Sequence, residues 1–297
     1  MQPRGFPGLP EGWVSQWETF PSADGSLQLF GVNHHLEKWT APRALIVLHG
    51  LGEHGGRYLH FPHYLKDTVQ SVYCLDHRGH GRSEGLRGHV DRFDLYVDDA
   101  VLAIKRLDEH LKRRFGKSEL HLFAHSMGGL IALRAVLKHA ELPLQSVAIS
   151  SPLLGVKVEL SLVKRAAARA LARVWGKVHM NSDIDPSTVS HDPEVVQNYI
   201  QDRLVHKKGT PLLYVEMMGA IEDTMKRHGP IQFPIQAMLA GEDRIVNTQA
   251  ALEFMENLEA KEKLTLTYPG YFHEIVNELG KDRVFEDLKK WIIQHQS

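Results

Sequence analysis

The fold of this chain is decided by the stretch Glu119-Leu-His-Leu-Phe-Ala-His-Ser126-Met-Gly-Gly-Leu-Ile-Ala-Leu133. Its first half alternates apolar residues up to Phe123, which indicates a short strand. Its second half continues as an apolar run through Leu137 that is typical of a helix. Ser126 lies at the break between the two. A strand, a sharp turn with a serine at its apex and a helix together predict a nucleophile elbow, which holds the hydroxyl clear of the backbone.

The residues beside this serine depart slightly from the usual G-x-S-x-G pattern, because Ala124 stands at the first position. Small residues are needed there because strand and helix nearly touch around a strained turn. Ala124 is the next smallest choice, and Gly128 and Gly129 keep the other side open. The alternative interpretation is that Ser126 only caps the following helix, since serine is a preferred N-cap residue.

Composition is that of a globular protein with a large core. The chain has 297 residues, of which 43% are hydrophobic and 24% charged. This length allows one large α/β domain, or a domain with an insertion. The formal net charge of -1 gives no overall attraction to nucleic acid or anionic lipid. A single cysteine, Cys74, excludes an internal disulfide framework, and its apolar surroundings predict a buried, inert thiol.

Targeting signals are not evident. The first residues, Met1-Gln-Pro-Arg-Gly-Phe-Pro-Gly8, lack the apolar region of a signal peptide. No apolar run approaches the length of a membrane span. We therefore expect a reducing, cytoplasmic setting.

Short apolar strands alternate with helical segments along most of the chain. This alternation predicts βαβ units and a mostly parallel sheet, preceded by a hairpin around the turn Ser22-Ala-Asp-Gly25. A long helical pattern runs from about Val90 to Phe115. The predicted strands lie at 44–48, 71–76, 119–123, 145–149, 234–239 and 263–267, and a last amphipathic helix spans about 282–294.

The rhythm changes after Ser151-Pro152, where helical and loop-like sequence continues without a short buried strand to about Gly229. This change indicates an insertion over the carboxyl edge of the sheet. The predicted organisation is a first core part at 1–151, a helical cap at 152–230 and a second core part at 231–297.

Two further strand ends carry the partners that a serine nucleophile needs, a base and a group that orients it. Asp243 lies in the turn after one late strand, and His273 in the turn after the last. The order Ser, Asp, His is that of the α/β-hydrolases. Two alternatives remain: Asp243 could serve only its own turn, and Glu242 is its nearest competitor as the acid.

Acyl transfer also needs amide donors for the developing oxyanion. The backbone N–H of Met127 directly follows the nucleophile and is the first candidate. The second is the N–H of Leu51 in the loop His49-Gly-Leu-Gly52, where glycines on both sides let the backbone turn. This loop lacks the residues of a phosphate-binding P-loop or a complete Rossmann motif. The loop 76–83 reads as a structural turn that supports the site, rather than as a site itself.

Taken together, His49-Gly-Leu-Gly-Glu-His-Gly-Gly-Arg-Tyr58, Asp76-His-Arg-Gly-His-Gly-Arg-Ser83, His125-Ser-Met-Gly-Gly129, Gly241-Glu-Asp-Arg-Ile-Val246 and His273-Glu274 resemble the monoacylglycerol lipase and lysophospholipase group of α/β-hydrolases. The resemblance implies an α/β-hydrolase fold with a helical cap and a serine esterase that acts on monoacylated glycerol lipids without a cofactor. No metal site is assigned.

The same resemblance implies that Glu53, Arg57 and His125 border a polar pocket for the glycerol part of the substrate. An alternative for Glu53 and Arg57 is that the two charges form an ion pair that only holds their loop.

The segment from Glu159 to Lys177 carries apolar residues and arginines at helical spacing. Either this helix is basic and amphipathic and meets a membrane or micelle surface, or its apolar side packs on the hydrolase core. The apolar positions are Leu160, Val163, Ala167, Ala170, Leu171 and Val174, and the arginines are Arg165, Arg169 and Arg173.

We hypothesise that Ser126, His273 and Asp243 hydrolyse a carboxylic ester through an acyl-enzyme, with Leu51 and Met127 binding the oxyanion. The partner is a small lipid ester, with a possible transient membrane contact through the cap. Rival hypotheses on the same fold are an acyltransferase, a non-catalytic ligand receptor and an aminopeptidase. The peptidase would need an acidic anchor such as Glu216 or Glu222.

Overall fold

A computed structural model describes residues 7–157, 162–181 and 185–296, with side chains for all of these except 162–165 and 181. In chain order its strands are β1 (Trp13–Pro21), β2 (Gln28–Leu36), β3 (Arg43–Leu48), β4 (Ser71–Asp76), β5 (Glu119–His125), β6 (Leu144–Ser150), β7 (Met180–Asn181), β8 (Lys208–Gly209), β9 (Ile231–Ala240) and β10 (Ala260–Tyr268). Its α-helices are α1 (Phe61–Leu65), α2 (Asp94–Phe115), α3 (Met127–Lys138), α4 (Leu162–Trp175), α5 (Pro193–Gln201), α6 (Pro211–Met225), α7 (Thr248–Asn257) and α8 (Lys281–Gln294).

Eight of the strands form one sheet in the order β1-β2-β4-β3-β5-β6-β9-β10. The hairpin partners β1 and β2 are antiparallel, and β2 is also antiparallel to β4. All other neighbouring strands in this sheet run parallel. The predicted α/β architecture with a mostly parallel sheet is therefore confirmed. The carboxyl ends of β3, β5, β6, β9 and β10 lie at one edge, where parallel sheets of this kind bind ligands.

The central strand β3 shows why its sequence is continuously apolar. Ala44, Ile46 and Leu48 point into one hydrophobic core, which contains residues of α2 and α3. Leu45 and Val47 point into a second core on the other face, which contains residues of α8. Because helices cover both faces, every position of the strand after its first residue is buried.

One predicted helix changes at its boundary. The long helix α2 begins at Asp94, whereas the apolar pattern predicted a start near Val90. Val90 and Phe93 are buried in the preceding loop, so they continue the apolar pattern without being helical. Cys74 is buried on β4 as expected, and burial raises the pKa of its thiol.

The residues 152–230, which we call the cap segment, contribute no strand to the main sheet within the described ranges. They contain α4, α5 and α6, together with a small antiparallel ribbon of β7 and β8 that the sequence did not predict. Several bonds join this segment to loops at the carboxyl edge of the sheet. The His206 N–H donates to the Gly52 carbonyl, and the Val189 carbonyl accepts from Glu274 N–H at 2.9 Å. His54 Nε2 lies 2.8 Å from the Asp202 carboxylate.

Helix α4 packs against α6 but leaves much apolar surface open. Of the predicted apolar face, Leu171 is half-buried, whereas Ala167, Ala170 and Val174 are exposed. Glu159 and Leu160 lie outside the described residues, and the side chains of Val163 and Arg165 are not described. No helix within the described ranges is long and apolar enough to cross a bilayer.

Candidate active site

The chain turns sharply at Ser126, between the end of β5 and the first residue of α3. Ser126 has φ 53° and ψ −116°, a strained conformation for a residue with a side chain. It is held there by bonds on both sides, because its N–H donates to the Ser150 carbonyl and its own carbonyl accepts from Leu153 N–H. The predicted strand, turn and helix are therefore present. Among the described residues, the Ser126 side chain makes no capping bond to α3, so the capping interpretation has no support.

The first turn of α3 lies so close to the end of β3 that position 128 has room only for a glycine. A methyl group on Gly128 would collide with the Leu48 carbonyl and would lie 2.7 Å from the oxygen of His49. Ala124, at the other flanking position, is fully buried between β3 and β6.

The imidazole of His273 and the carboxylate of Asp243 meet, although 30 positions separate them. Nδ1 of His273 lies 2.7 Å from Oδ2 of Asp243, and both side chains are almost completely buried. Oδ1 of Asp243 accepts from Ile245 N–H at 2.8 Å and from Val246 N–H at 2.9 Å. Glu242 is exposed, so its neighbour Asp243 is the acid that reaches the imidazole.

The electrostatics of this pair favour an ionised carboxylate and a basic imidazole. Burial opposes the charge on Asp243, but His273 and the two loop amides outweigh it and hold the pKa of Asp243 below its ordinary value. Burial likewise opposes protonation of His273. The carboxylates of Asp243, Glu274 and Glu53 outweigh burial and raise the pKa of His273 above its ordinary value.

His125 directly precedes Ser126 in the elbow, and its ring lies beside the loop 269–280, which carries His273 and which we call the histidine loop. Its ring centroid is 4.7 Å from that of His273, and its Nδ1 is 3.2 Å from the Ser150 hydroxyl. Burial lowers the pKa of His125 to about 3, and the neighbouring His273 adds to the effect. The His125 side chain is therefore a neutral imidazole at pH 7.

The loop His49-Gly-Leu-Gly52 after β3, which we call the glycine loop, lies next to the elbow. A methyl group on Gly50 would lie 3.1 Å from Cβ of Ser126, so the loop and the serine are in direct proximity. Leu51 follows Gly50 and is half-buried, and Met127 is buried at the start of α3. In the described part of the chain, neither the Leu51 nor the Met127 amide has a hydrogen-bond acceptor. Both predicted donors are thus available to a ligand.

Glu53 and Arg57 form an ion pair, and Arg57 forms a second ion pair with Glu274. Arg57 Nη1 lies 2.8 Å from Glu53 Oε2, and the guanidinium also binds both oxygens of Glu274, at 2.6 and 2.8 Å. The Arg57 guanidinium also stacks on the ring of Tyr199 in α5, 4.9 Å from its centroid. The ion pair between Glu53 and Arg57 that the sequence left as an alternative is therefore present.

Two glutamates of the histidine loop were given no role from the sequence, although Glu274 stands in the quoted motif His273-Glu274. Glu274 binds Arg57, as described, and Glu278 accepts from the N–H of Phe272 at 2.8 Å. Glu278 also contacts Ser190 and His191 of the cap segment. The signal for Glu274 is its position directly after His273, and Glu278, five residues after that histidine, carries no such signal.

The loop 76–83 supports its neighbours, as predicted. The Asp76 carboxylate accepts from Gly55 N–H and Arg82 N–H, both at 2.7 Å. Of the two acids that could have anchored a peptide amine, Glu216 accepts from Phe93 N–H and Glu222 is exposed and pairs with Lys226. Both carboxylates therefore already have partners within the protein.

Comparison with known proteins identifies the family of this chain. The family model described as serine aminopeptidase, S33, matches residues 40–280. The monoacylglycerol lipase of Mycolicibacterium smegmatis is 29% identical over 272 residues, which cover 89% of this chain and 94% of that protein. The monoglyceride lipase of Mus musculus is 30% identical over 258 residues, with 84% and 82% covered.

Among solved structures, the monoacylglycerol lipase of Paleococcus ferrophilus superposes with a TM-score of 0.78 at 27% identity, covering 90% of this chain and 99% of that one. The matched range includes the elbow, the glycine loop and the turns of Asp243 and His273. The chain therefore belongs to the serine aminopeptidase S33 family, as a monoacylglycerol lipase-like α/β-hydrolase of the carboxylic ester hydrolase class.

Proposed function

We propose that this protein hydrolyses monoacylglycerol lipids through an acyl-enzyme formed on Ser126. The observation that carries the proposal is the buried contact of 2.7 Å between His273 and Asp243, on a loop adjacent to the elbow of Ser126. A serine hydroxyl needs a neighbouring base with a third group that orients it, and a non-catalytic receptor needs neither.

The reaction has two steps. In the first, Ser126 Oγ attacks the ester carbonyl carbon while Nε2 of His273 takes the hydroxyl proton. Asp243 holds the imidazole by Nδ1 and stabilises its protonated form, and the Leu51 and Met127 amides bind the oxyanion. The imidazolium then gives its proton to the departing glycerol oxygen. In the second step His273 deprotonates a water molecule that attacks the acyl-enzyme, and the imidazolium then gives that proton to Oγ of Ser126 as the fatty acid leaves.

The glycerol part of the substrate is the second element of the proposal. The relatives named above are a monoacylglycerol lipase and a monoglyceride lipase. Neutral His125, beside His273, can exchange hydrogen bonds with an uncharged hydroxyl. The charge of Arg57 is paired with Glu53 and Glu274, so this guanidinium is not a free cation for a phosphate. A neutral glycerol suits this environment better than a phosphate does.

Hydrolysis of three esters at equal concentration tests the substrate class. Monoacylglycerol should be cleaved with the highest kcat/KM, ahead of lysophosphatidylcholine and a short p-nitrophenyl ester. Ser126→Ala should abolish all three activities, which excludes a contaminating esterase. A preference for the short ester would refute the lipid assignment while leaving the esterase intact. A preference for lysophosphatidylcholine would instead assign the lysophospholipase activity.

We also propose that the cap segment contacts the lipid surface that supplies the substrate. Around the end of α4, Val174, Trp175, Val178 and Met180 are exposed to 70%, 63%, 49% and 52%. Arg173 and Lys177 are exposed nearby. A cluster of exposed apolar side chains, with a tryptophan and neighbouring cations, is the composition of an interfacial helix.

A further inference from the structure

A continuous series of hydrogen bonds joins the glycine loop to the histidine loop. Gly50 N–H donates to Oε1 of Glu53 at 2.6 Å, and Oε2 of Glu53 lies 2.8 Å from Nη1 of Arg57. Arg57 in turn binds both oxygens of Glu274. Glu53 and Arg57 lie within four residues of each other, whereas Arg57 and Glu274 are 217 positions apart. The series therefore connects two distant parts of the chain.

Each end of the series adjoins a part of the proposed machinery. Gly50 precedes Leu51, whose amide is one proposed oxyanion donor. Glu274 follows His273, the proposed base. The distance between these two parts must be correct to within a fraction of an ångström, because the oxyanion donors and the base act on one substrate at the same time.

The carboxylates in this series have no free oxygen left for a substrate. Oε1 of Glu53 accepts a second bond, from the Tyr58 hydroxyl at 2.9 Å. Oε2 of Glu274 accepts a second bond from Asn277 Nδ2 at 2.8 Å. The side chains of Glu53, Arg57 and Glu274 are exposed to only 4%, 8% and 5%. Buried carboxylates whose every oxygen already accepts a bond within the protein hold structure in place rather than bind ligands.

We propose that Glu274 is a positioning residue, which acts through Arg57 and Glu53 to hold the histidine loop and the glycine loop at a fixed separation. The proposal rests on the proposed function, since it assigns a task to Glu274 in that reaction. It departs from the expectation that Glu53 and Arg57 bind glycerol directly.

The charge of Glu274 provides a signature that a purely structural residue would lack. The groups that face His273 are Asp243, which is hydrogen-bonded to it, the carboxylates of Glu274 and Glu53, and the neutral ring of His125. Burial opposes protonation of His273, and all three carboxylates raise its pKa. Loss of the charge at Glu274 should therefore lower the pKa of His273. Because the neutral imidazole is the active base, the acid limb of the kcat/KM profile should move to lower pH.

The test compares Glu274→Gln and Glu274→Asp with wild type on a short, soluble p-nitrophenyl ester from pH 5 to pH 9. Glu274→Gln should lower kcat roughly 10- to 100-fold, leave KM within about twofold and move the acid limb to lower pH. Glu274→Asp keeps the charge but shortens the reach to Arg57, so it should lower kcat while the acid limb stays near its original pH. Glu222→Gln, on an exposed carboxylate of α6, is the matched control and should match wild type.

The outcomes separate this proposal from the proposed function. If wild-type protein neither hydrolyses the ester nor forms a fluorophosphonate adduct at Ser126, both the proposed function and the positioning role of Glu274 are contradicted. Active wild type with unchanged kcat and acid limb in the two Glu274 variants would overturn the positioning role alone. Thermal unfolding of each variant is measured in parallel. Loss of the fold in both variants would also overturn the proposal, because Glu274 would then serve the whole fold rather than the placement of two loops.

Discussion

Nδ1 of His273 lies 2.7 Å from Oδ2 of Asp243, and Oδ1 of the same carboxylate accepts two backbone amides. This arrangement fixes the imidazole with Nδ1 as the proton donor and leaves Nε2 for the serine. We predict that Asp243→Asn lowers kcat by about 10⁴-fold with little change in folding, because an amide can bond the wrong tautomer of the imidazole. Steady-state kinetics on the short ester measure the effect. A variant within tenfold of wild type would contradict the role of Asp243.

The tight packing of the elbow makes a second prediction. Gly128→Ala places a methyl group against the carbonyls of Leu48 and His49, so it should destabilise the protein by about 1–3 kcal/mol and lower activity. Gly219→Ala is the control, because it lies in α6 with no atom within 4 Å of the added methyl group, and it should be neutral or stabilising by about 0.5–1 kcal/mol. Denaturant unfolding compares the two. Equal effects would show that the elbow is not tightly packed.

The burial of His121 predicts that the free energy of unfolding decreases at acidic pH. His121 on β5 is buried, and burial lowers its pKa to about 4. Between pH 6.5 and pH 4 the unfolded chain therefore binds a proton at this position that the folded chain does not. This difference reduces the free energy of unfolding as pH falls, by up to about 1.4 kcal/mol per pH unit.

The His121→Leu variant should lose less stability than wild type over this pH range, as measured by denaturant titration at several pH values. Ser146→Ala removes the hydroxyl that lies 2.8 Å from Nδ1 of His121 but keeps the imidazole, so its pH dependence should resemble that of wild type. Parallel curves for wild type and His121→Leu would refute the assignment of a depressed pKa.

The exposed apolar cluster at the end of α4 predicts that its loss impairs hydrolysis of a substrate held in a lipid vesicle but not of a soluble ester. Trp175→Ala should weaken binding to phospholipid vesicles roughly tenfold and reduce hydrolysis of vesicle-borne monoacylglycerol, with no change on a soluble ester. Trp17→Ala is the matched control, because Trp17 lies on β1 and is exposed to 67%. Vesicle co-sedimentation and kinetics test this prediction. Equal defects in the two variants, or none, would contradict the assignment of α4 to the membrane.

Much of the fold could be predicted because its determinants are local. Short apolar strands, the turn at Ser126 and the turns after β9 and β10 each leave a pattern within about ten residues. Asp243 could be preferred over Glu242 from its place in the turn, and the structure places Asp243 beside His273. Helix α2 shows the limit of periodicity, since buried Val90 and Phe93 continue its apolar pattern into a loop.

The rest depends on long-range contacts that a sequence does not display. Arg57 and Glu274 form an ion pair although 217 positions separate them, and nothing in the local sequence indicates that either residue is buried. The ribbon of β7 and β8 has two residues in each strand, too few for an alternating pattern. The apolar face of α4 could be predicted from its sequence, but what covers that face could not, and Ala167, Ala170 and Val174 are exposed in the structure.

The assignment of Ser126 as the nucleophile is tested most directly by exposing the folded protein to a fluorophosphonate and mapping the adduct by mass spectrometry. We predict one adduct, on the peptide that contains Ser126, which is absent from Ser126→Ala and from heat-denatured protein and which forms more slowly in Asp243→Asn. A folded wild-type protein with no adduct at Ser126, or an adduct that persists on another serine in Ser126→Ala, would contradict it.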